Sequence, residues 1–175
     1  MVRMKRAELE RGAVAVVVGV CAVVLAGFAS VTVDLGNARQ LQIKAQGAGD
    51  AGALAAAQDL PDSGADADAT ASAKGEAATF VAAAYGATPV VATCGAGALA
   101  DTTCYQITGS VDLEVTSPYE GTSQKIHARV CEDTPTFFSG AIGLTPPRAC
   151  GEAVAINTAE IQAAPSLLTL SPAAC

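Results

Sequence analysis

The chain has 175 residues, of which 51% are hydrophobic but only 4% aromatic, and it contains no tryptophan. Much of the apolar count is alanine, so few large side chains are available and a thin core is expected. The net charge is -7, and residues 34–175 carry six basic against fifteen acidic side chains. Phosphate binding needs clustered lysine and arginine, so this acidic balance disfavours nucleic acid as a partner.

The first predicted element is a transmembrane helix over residues 12–33, a run without a charged side chain. At about 1.5 Å per residue it is long enough to cross a hydrocarbon core of roughly 30 Å. Four basic residues lie in residues 1–11, whereas only Arg39 and Lys44 follow closely. The positive-inside rule therefore predicts a single-pass protein of the cell membrane, with residues 1–11 in the cytoplasm and the C-terminal part outside.

A cleaved signal peptide is the alternative interpretation of the same segment. The small residues in Leu25–Ser30 offer a cut after Ala29, which would release a secreted envelope or adhesin binding domain. Signal peptides usually have an apolar region of about 7 to 15 residues, and this run continues through Val33. A retained anchor is therefore favoured. A buried core helix is disfavoured because the segment has no polar face.

Beyond the apolar run, the helix is predicted to continue outside the membrane over residues 34–60, where Pro61 stops it. Small residues recur at spacings of three or four on one side, a pattern that lets another helix approach closely. The high helix propensity of alanine explains the same composition without a packing role, so both interpretations stay open. The predicted anchoring and packing residues are Gly12, Gly19, Ala22, Ala26, Ser30, Asp34, Gly36, Leu41, Ala45, Ala48 and Gly52.

Residues 61–175 are predicted to form an exported α+β domain. Pro61–Ala73 is expected to be a polar loop, and Ala73–Gly86 a second short helix that ends at Gly86. Alternating apolar residues then predict a small antiparallel β-sheet. Its strands are expected over Tyr105–Ser117, with an irregularity at Gly109, over Ser123–Asp133, and within Gly151–Ala163. A short helical turn is expected over Thr134–Leu144. The apolar face of the second helix is expected to consist of Phe80, Val81, Ala84 and Tyr85.

The cysteines support an exported domain, because an oxidising compartment permits disulfides. Pairing of near neighbours is preferred, although sequence alone does not fix the connectivity. The preferred pairs are Cys94 with Cys104 and Cys131 with Cys150, which leave Cys175 at the terminus. Each loop would stabilise the fold by about 3 kcal/mol in the chain-entropy model. No metal or other cofactor is predicted, because there is no C-x2-C pair and a single histidine.

An enzymatic function is not predicted either. His127 is the one candidate base, with Glu132 or Asp133 as candidate partners, but it shares an alternating strand with Lys125 and Arg129 and is expected on the solvent face. The chain contains no G-x-S-x-G motif and no P-loop. A solvated strand histidine is therefore the preferred interpretation.

Two segments carry a family pattern. Glu10–Leu60 has an Arg-Gly start, an apolar run, a V-D-L-G exit at Val33–Gly36 and an alanine-rich helical ending, and Lys125–Leu144 has a strand followed by a P-T-F-F turn. In this order they resemble the TadE/TadG-like group of Tad-type (tight adherence, Flp) pilus-assembly proteins. The cysteines depart from that pattern, as do the three glycines within Gly47–Gly52, which loosen the helix.

The resemblance implies a membrane-anchored component of a pilus-assembly or secretion apparatus with a pilin-like head. Its implied partners are the membrane and other pilus-assembly or pilin-like proteins, and self-association is one of the interactions it allows. Prepilins are cut after a glycine that is followed by glutamate at the fifth mature position, where cleavage after Gly12 would place Val17. The resemblance therefore implies an assembly scaffold that stays in the membrane and is not a processed fibre subunit.

Overall fold

A computed structural model describes residues 2–135 and 148–158, with side chains described from residue 14 onward. Within these ranges two helices precede five strands that form one antiparallel sheet in the order β1-β2-β3-β4-β5. The elements are α1 (Val2–Ala57), α2 (Ala67–Ala84), β1 (Val90–Ala92), β2 (Thr102–Thr108), β3 (Val111–Thr116), β4 (Lys125–Glu132) and β5 (Ala149–Ile156). The predicted α+β fold, with a long apolar N-terminal helix, a second short helix and a small antiparallel sheet, is confirmed.

Helix α1 continues without a break from the apolar run into the folded head. Its large apolar side chains up to Val33 are exposed, whereas from Ala45 onward one side of the helix is buried. The helix ends at Ala57, and Gln58 and Asp59 form a turn whose amides bond to carbonyls three residues back. Pro61 follows this turn, in agreement with its predicted role as a helix stop.

The core lies between the two helices and the inner face of the sheet. The helices contribute mainly alanines to it, and the sheet contributes larger aliphatic side chains. The largest fully buried hydrophobic side chains are Leu113, Ile126, Val81, Val111, Val115 and Val130. Because alanine is short, each helix backbone must lie close to whatever it packs against in order to exclude water.

Helix α1 contacts α2 through a glycine. A Cβ added at Gly52 would lie 2.8 Å from Cγ2 of Val81 and 3.1 Å from the carbonyl oxygen of Ala77. These distances are shorter than ordinary van der Waals contact, so only glycine fits without a shift of α2. The buried face of α2 is correspondingly built from small residues, namely Ala73, Ala77, Ala78, Val81 and Ala82.

Two predictions for α2 are wrong. The expected loop Pro61–Ala73 is helical from Ala67 onward, because the Asp66 carboxylate caps the helix by accepting bonds from the amides of Asp68 (2.9 Å) and Ala69 (3.1 Å). The expected apolar face is wrong in part: Phe80 is 47% exposed because the alanine side of the helix faces Gly52, whereas Val81 is buried and Tyr85 packs partly buried against the core, as expected. Gly86, with φ of 62°, follows the last turn as predicted.

The predicted single strand Tyr105–Ser117 is wrong as well, because the chain reverses at Gly109 and Ser110 to form the β2–β3 hairpin. A bulge between Gln106 and Thr108 shifts the register before this two-residue connection. The short edge strand β1 was not predicted, and all three of its residues are exposed. Most of the predicted turn Thr134–Leu144 lies outside the described residues.

Replacing Gly52 with alanine should destabilise the fold, whereas the same change at Gly47 in the same helix should not. We expect Gly52→Ala to lower the free energy of unfolding by about 1 to 3 kcal/mol through overpacking. A Cβ at Gly47 would meet nothing within 4 Å, so Gly47→Ala should raise that free energy by up to about 1 kcal/mol through helix propensity. Thermal denaturation of the full chain in detergent, followed by near-UV circular dichroism, measures both. Equal effects of the two changes would contradict the packing described here.

Candidate membrane-anchoring and helix-packing site

The apolar part of α1 contacts nothing else in the described chain. Its exposed large side chains are Val14, Val16, Val17, Val18, Val20, Val23, Val24, Leu25, Phe28, Val31 and Val33. Soluble monomers rarely expose a continuous apolar surface of this extent, so it marks an interaction with lipid or with other helices. Among the described residues, α1 is the one helix that is long and apolar enough to cross a membrane; a signal sequence at this position would have the same properties.

The hydroxyl groups in this part of α1 are satisfied within the helix. Ser30 donates from Oγ to the carbonyl oxygen of Gly27 (2.7 Å), and Thr32 donates from Oγ1 to the carbonyl oxygen of Phe28 (2.9 Å). Such bonds remove the need for a water partner. The segment can therefore lie in lipid without leaving these polar groups unpaired.

The predicted packing residues fall into two groups. Gly19, Ala22, Ala26 and Gly36 are exposed, and Ser30, Asp34 and Leu41 are partly exposed. Ala45, Ala48 and Gly52 are buried inside the protein's own fold. Gly12 lies in α1, but its surroundings are outside the described side chains. The C-terminal part of the predicted packing surface, at Ala45, Ala48 and Gly52, is therefore covered by the sheet and α2 of the same chain.

The attachment of α1 to the sheet depends on Gly151 in β5. A Cβ added at Gly151 would overlap Cα and N of Gln46 and would lie 2.7 Å from the carbonyl carbon of Ala45. No other residue can take this position while the two backbones stay in place. The strand and the helix therefore meet backbone to backbone.

The side chain of Gln46 fastens this contact. Its Nε2 donates to the carbonyl oxygen of Glu152 (2.8 Å), and its Oε1 accepts from the amide of Glu152 (3.1 Å). Gln46 Nε2 also donates to Oδ1 of Asp50 one turn later (2.9 Å), which orients the amide group. Because β5 is an edge strand, the first two bonds replace those that a further strand would make.

Charged pairs on the outer face of the sheet brace the same residue. Arg129 lies between two carboxylates, with Nε 3.1 Å from Oε1 of Glu152 and Nη1 3.6 Å from Oε2 of Glu114. The three residues are direct neighbours across β3, β4 and β5. Arg129 and Glu152 are exposed and Glu114 is partly exposed, so these pairs contribute modestly to stability and mainly align the strands.

A second link joins α1, the end of α2 and the sheet through Tyr85. Lys44 Nζ lies 3.8 Å from the centre of the Tyr85 ring, and the Tyr85 hydroxyl donates to Oε2 of Glu132 (3.1 Å). Burial, with a further contribution from the Glu132 charge, raises the pKa of the Tyr85 hydroxyl. The hydroxyl therefore keeps its proton and remains a donor to Glu132.

Two disulfides hold the outer side of the sheet together. Cys94 is joined to Cys104, and Cys131 is joined to Cys150. The second bond connects residues that face each other directly on β4 and β5, one position before Gly151. Cys21 is a free, exposed cysteine in α1, and Cys175 lies outside the described residues.

An arginine next to this disulfide ties β5 to its neighbours. Arg148 lies 2.7 Å from Oδ2 of Asp112 through Nη2 and 2.6 Å from Oδ1 of Asp133 through Nε. The hydrogen bond to Asp112 and the charge of Asp133 raise the pKa of the guanidinium, which stays charged. Together with the disulfide, these bonds fix the start of β5 at the position where α1 docks.

The prediction of a solvated His127 is wrong. His127 is 9% exposed, because the ring of Tyr119 from the preceding connection stacks on it with centroids 4.8 Å apart. The candidate acidic partners are engaged elsewhere, Glu132 by Tyr85 and Asp133 by Arg148. Within the described ranges, no group of three His, Cys, Asp or Glu side chains is placed to hold a metal ion.

Sequence reasoning missed the residues that make the attachment. An isolated glycine in a strand often marks a close backbone approach, so Gly151 carried a usable signal. Gln46 carried none, because a helical glutamine looks the same whether it faces solvent or a strand edge.

These observations define a class of protein: an α+β head carried on one long N-terminal helix whose first part is apolar and exposed. Residues 12–59 match the Tad family model, Flp pilus-assembly TadE/G-like. The predicted resemblance is confirmed for this segment, which contains the apolar run and the part of α1 that packs on the sheet. A pilus-related function is therefore supported. The second resembling segment, Lys125–Leu144, lies outside the match and stays a prediction.

No curated protein and no solved structure matches the chain.

Replacing Gln46 with alanine should loosen α1 from β5. We expect the free energy of unfolding to fall by about 1 to 2 kcal/mol, since the variant loses both bonds to the Glu152 backbone. Gln42→Ala, at an exposed position of the same helix, is the matched control and should leave stability unchanged. Hydrogen exchange in the full chain gives a local measurement, because the Glu152 amide should lose protection only in Gln46→Ala. Unchanged protection at Glu152 would contradict the assigned bonds.

Proposed function

We propose that the protein is a single-pass membrane component of a Tad/Flp-type pilus-assembly or secretion apparatus and acts there as a scaffold. The observation that supports this most directly is that α1 is one continuous helix. Its first part is apolar and exposed, and its last part is buried against the sheet, where the close contact requires Gly151. The family match over residues 12–59 supports the pilus-related context.

The length of α1 sets the geometry of the proposed scaffold. About 11 residues separate Val33 from the first buried position at Ala45, which corresponds to roughly 16 Å of helix. The head would therefore stand a short distance above the bilayer and could not fold back onto it. Because the helix is seated by backbone contact at Gly151, movement of the anchor would be transmitted to the sheet.

The proposed orientation places residues 1–11 in the cytoplasm and the head outside the membrane. The distribution of basic residues supports it, as do the two disulfides, which persist in an oxidising compartment. The proposed partners are other pilus-assembly or pilin-like proteins, which would contact the exposed parts of α1 and of the head.

A charge in the middle of the apolar run should impair anchoring. Val23→Arg should cost about 2.5 to 3.5 kcal/mol in membrane insertion and reduce the carbonate-resistant fraction of the protein. Gln58→Arg, an exposed position beyond the apolar run, is the control and should behave as the unmodified chain. In a deletion strain that has lost its pili, the Gln58→Arg chain should restore piliation and the Val23→Arg chain should not.

Intact-mass measurement of the cell-associated protein tests retention directly. The expected mass includes residues 1–29 and two fewer hydrogens for each disulfide. A chain that begins near Ser30 and is found in the medium would instead support the secreted binding domain and overturn the proposed anchor.

A further inference from the structure

One side of α1 beyond the apolar run carries large apolar side chains that are exposed. Ile43 is 73% exposed and Leu54 is 65% exposed. They share that side of the helix with exposed small or polar residues. The set, called the outer stripe, is Gly36, Gln40, Ile43, Gly47, Ala51 and Leu54.

The outer stripe has a period of 11 residues. Gly36 recurs as Gly47, Ile43 recurs as Leu54, and Gln40 is followed after the same interval by Ala51. At about 3.6 residues per turn these positions fall within one arc of the helix surface. A repeat of 11 residues suits helices that cross with a shallow right-handed twist.

The stripe alternates protruding and recessed positions. Ile43 and Leu54 project from the helix, and a Cβ at Gly36 or Gly47 would meet nothing within 4 Å. Each glycine therefore leaves a recess beside a projecting side chain on the same surface. Such recesses allow the backbone of a second copy in parallel orientation to approach closely.

The fold leaves room for such a copy. The sheet and α2 cover the opposite side of α1, where Ala45, Ala48 and Gly52 are buried. Two chains that met along the outer stripe would hold their heads on the far sides of the helix pair. The stripe also continues into the apolar run through Leu25, Ala29 and Thr32, which are all exposed.

We propose that the outer stripe binds the outer stripe of a second copy of this chain, giving a parallel pair of α1 helices at equal height. This inference rests on the proposed anchoring, because two helices that leave the same membrane in the same direction are necessarily parallel. Equal height follows because a shift of one repeat, about 16 Å, would move one apolar run out of the bilayer. Confinement to a membrane also raises the effective concentration of the partner.

Disulfide cross-linking in membranes tests the pair. In the full chain with Cys21→Ser and Cys175→Ser, Ile43→Cys and Leu54→Cys should each form cross-linked dimers under mild oxidation. The control is Gln42→Cys, an exposed neighbour about a quarter turn away. It should cross-link at least about tenfold less, because disulfides require Cα atoms within about 7 Å. Equal cross-linking of Ile43→Cys and Gln42→Cys would overturn the proposal.

Two further measurements fix the arrangement. If the two helices pair at equal height, chains carrying Ile43→Cys should form no mixed dimer with chains carrying Leu54→Cys. A mixed dimer would overturn the pairing at equal height. Adding Gly47→Leu to Ile43→Cys should reduce cross-linking about tenfold by filling the recess, because larger side chains prevent close helix approach. Unchanged cross-linking in that double variant would also count against the stripe.

Measurements on the same membranes distinguish a failure of the proposed pair from a failure of the proposed anchoring. Carbonate-resistant protein without Ile43→Cys dimers would leave the anchor in place and overturn the pair. Dimers formed only with a different protein would likewise overturn self-pairing. Release of the chain into the medium would overturn both, because the pair depends on a shared membrane.

Discussion

The backbone contact between α1 and β5 is the constraint on which the rest of the structure depends. At Gly151 the strand has no side chain, and the helix occupies that space with the backbone of Gln46. A helix that lies so close can bury alanine against a sheet, because short side chains still reach their neighbours. The same approach brings the Gln46 amide within hydrogen-bonding distance of the Glu152 backbone. The alanine-rich helix can therefore form a core with the sheet only because the two backbones lie so close together.

Other features of the head follow from the short helix side chains. The helices offer little apolar area, so the larger buried residues come mainly from β3 and β4. A thin core gains less from hydrophobic burial than a core rich in aromatic side chains. Covalent bonds compensate for this: Cys131–Cys150 fixes β5 beside β4, and Cys94–Cys104 closes the loop after β1. Both disulfides constrain the unfolded chain more than they add contacts to the folded one.

How much the sequence predicts depends on whether a feature is local. The course of α1 was predictable, because both of its signals, an apolar run without charges and a proline after the helix, are local patterns in the sequence. The start of α2 was missed, because Asp66 looks like one more acid in a polar stretch until its carboxylate is seen on two amides. The attachment site was missed for a different reason. Gln46 and Glu152 are far apart in the chain, and neither residue type predicts a contact with the other. The stacking of Tyr119 on His127 was hidden in the same way.

The use of both sides of α1 follows from where its small residues lie. The small residues that the sequence marked for packing with other helices include Ala45, Ala48 and Gly52, and in the structure the head itself covers them. The exposed side carries Ile43 and Leu54, which the small-residue pattern did not select, together with Gly36, which it did. In a soluble protein, exposed aliphatic side chains of this size beside an apolar run would favour aggregation. In a membrane-anchored chain the bilayer fixes the direction and height of the helix, so the same side chains can meet a defined partner. Anchoring therefore restricts which contacts the exposed side can make.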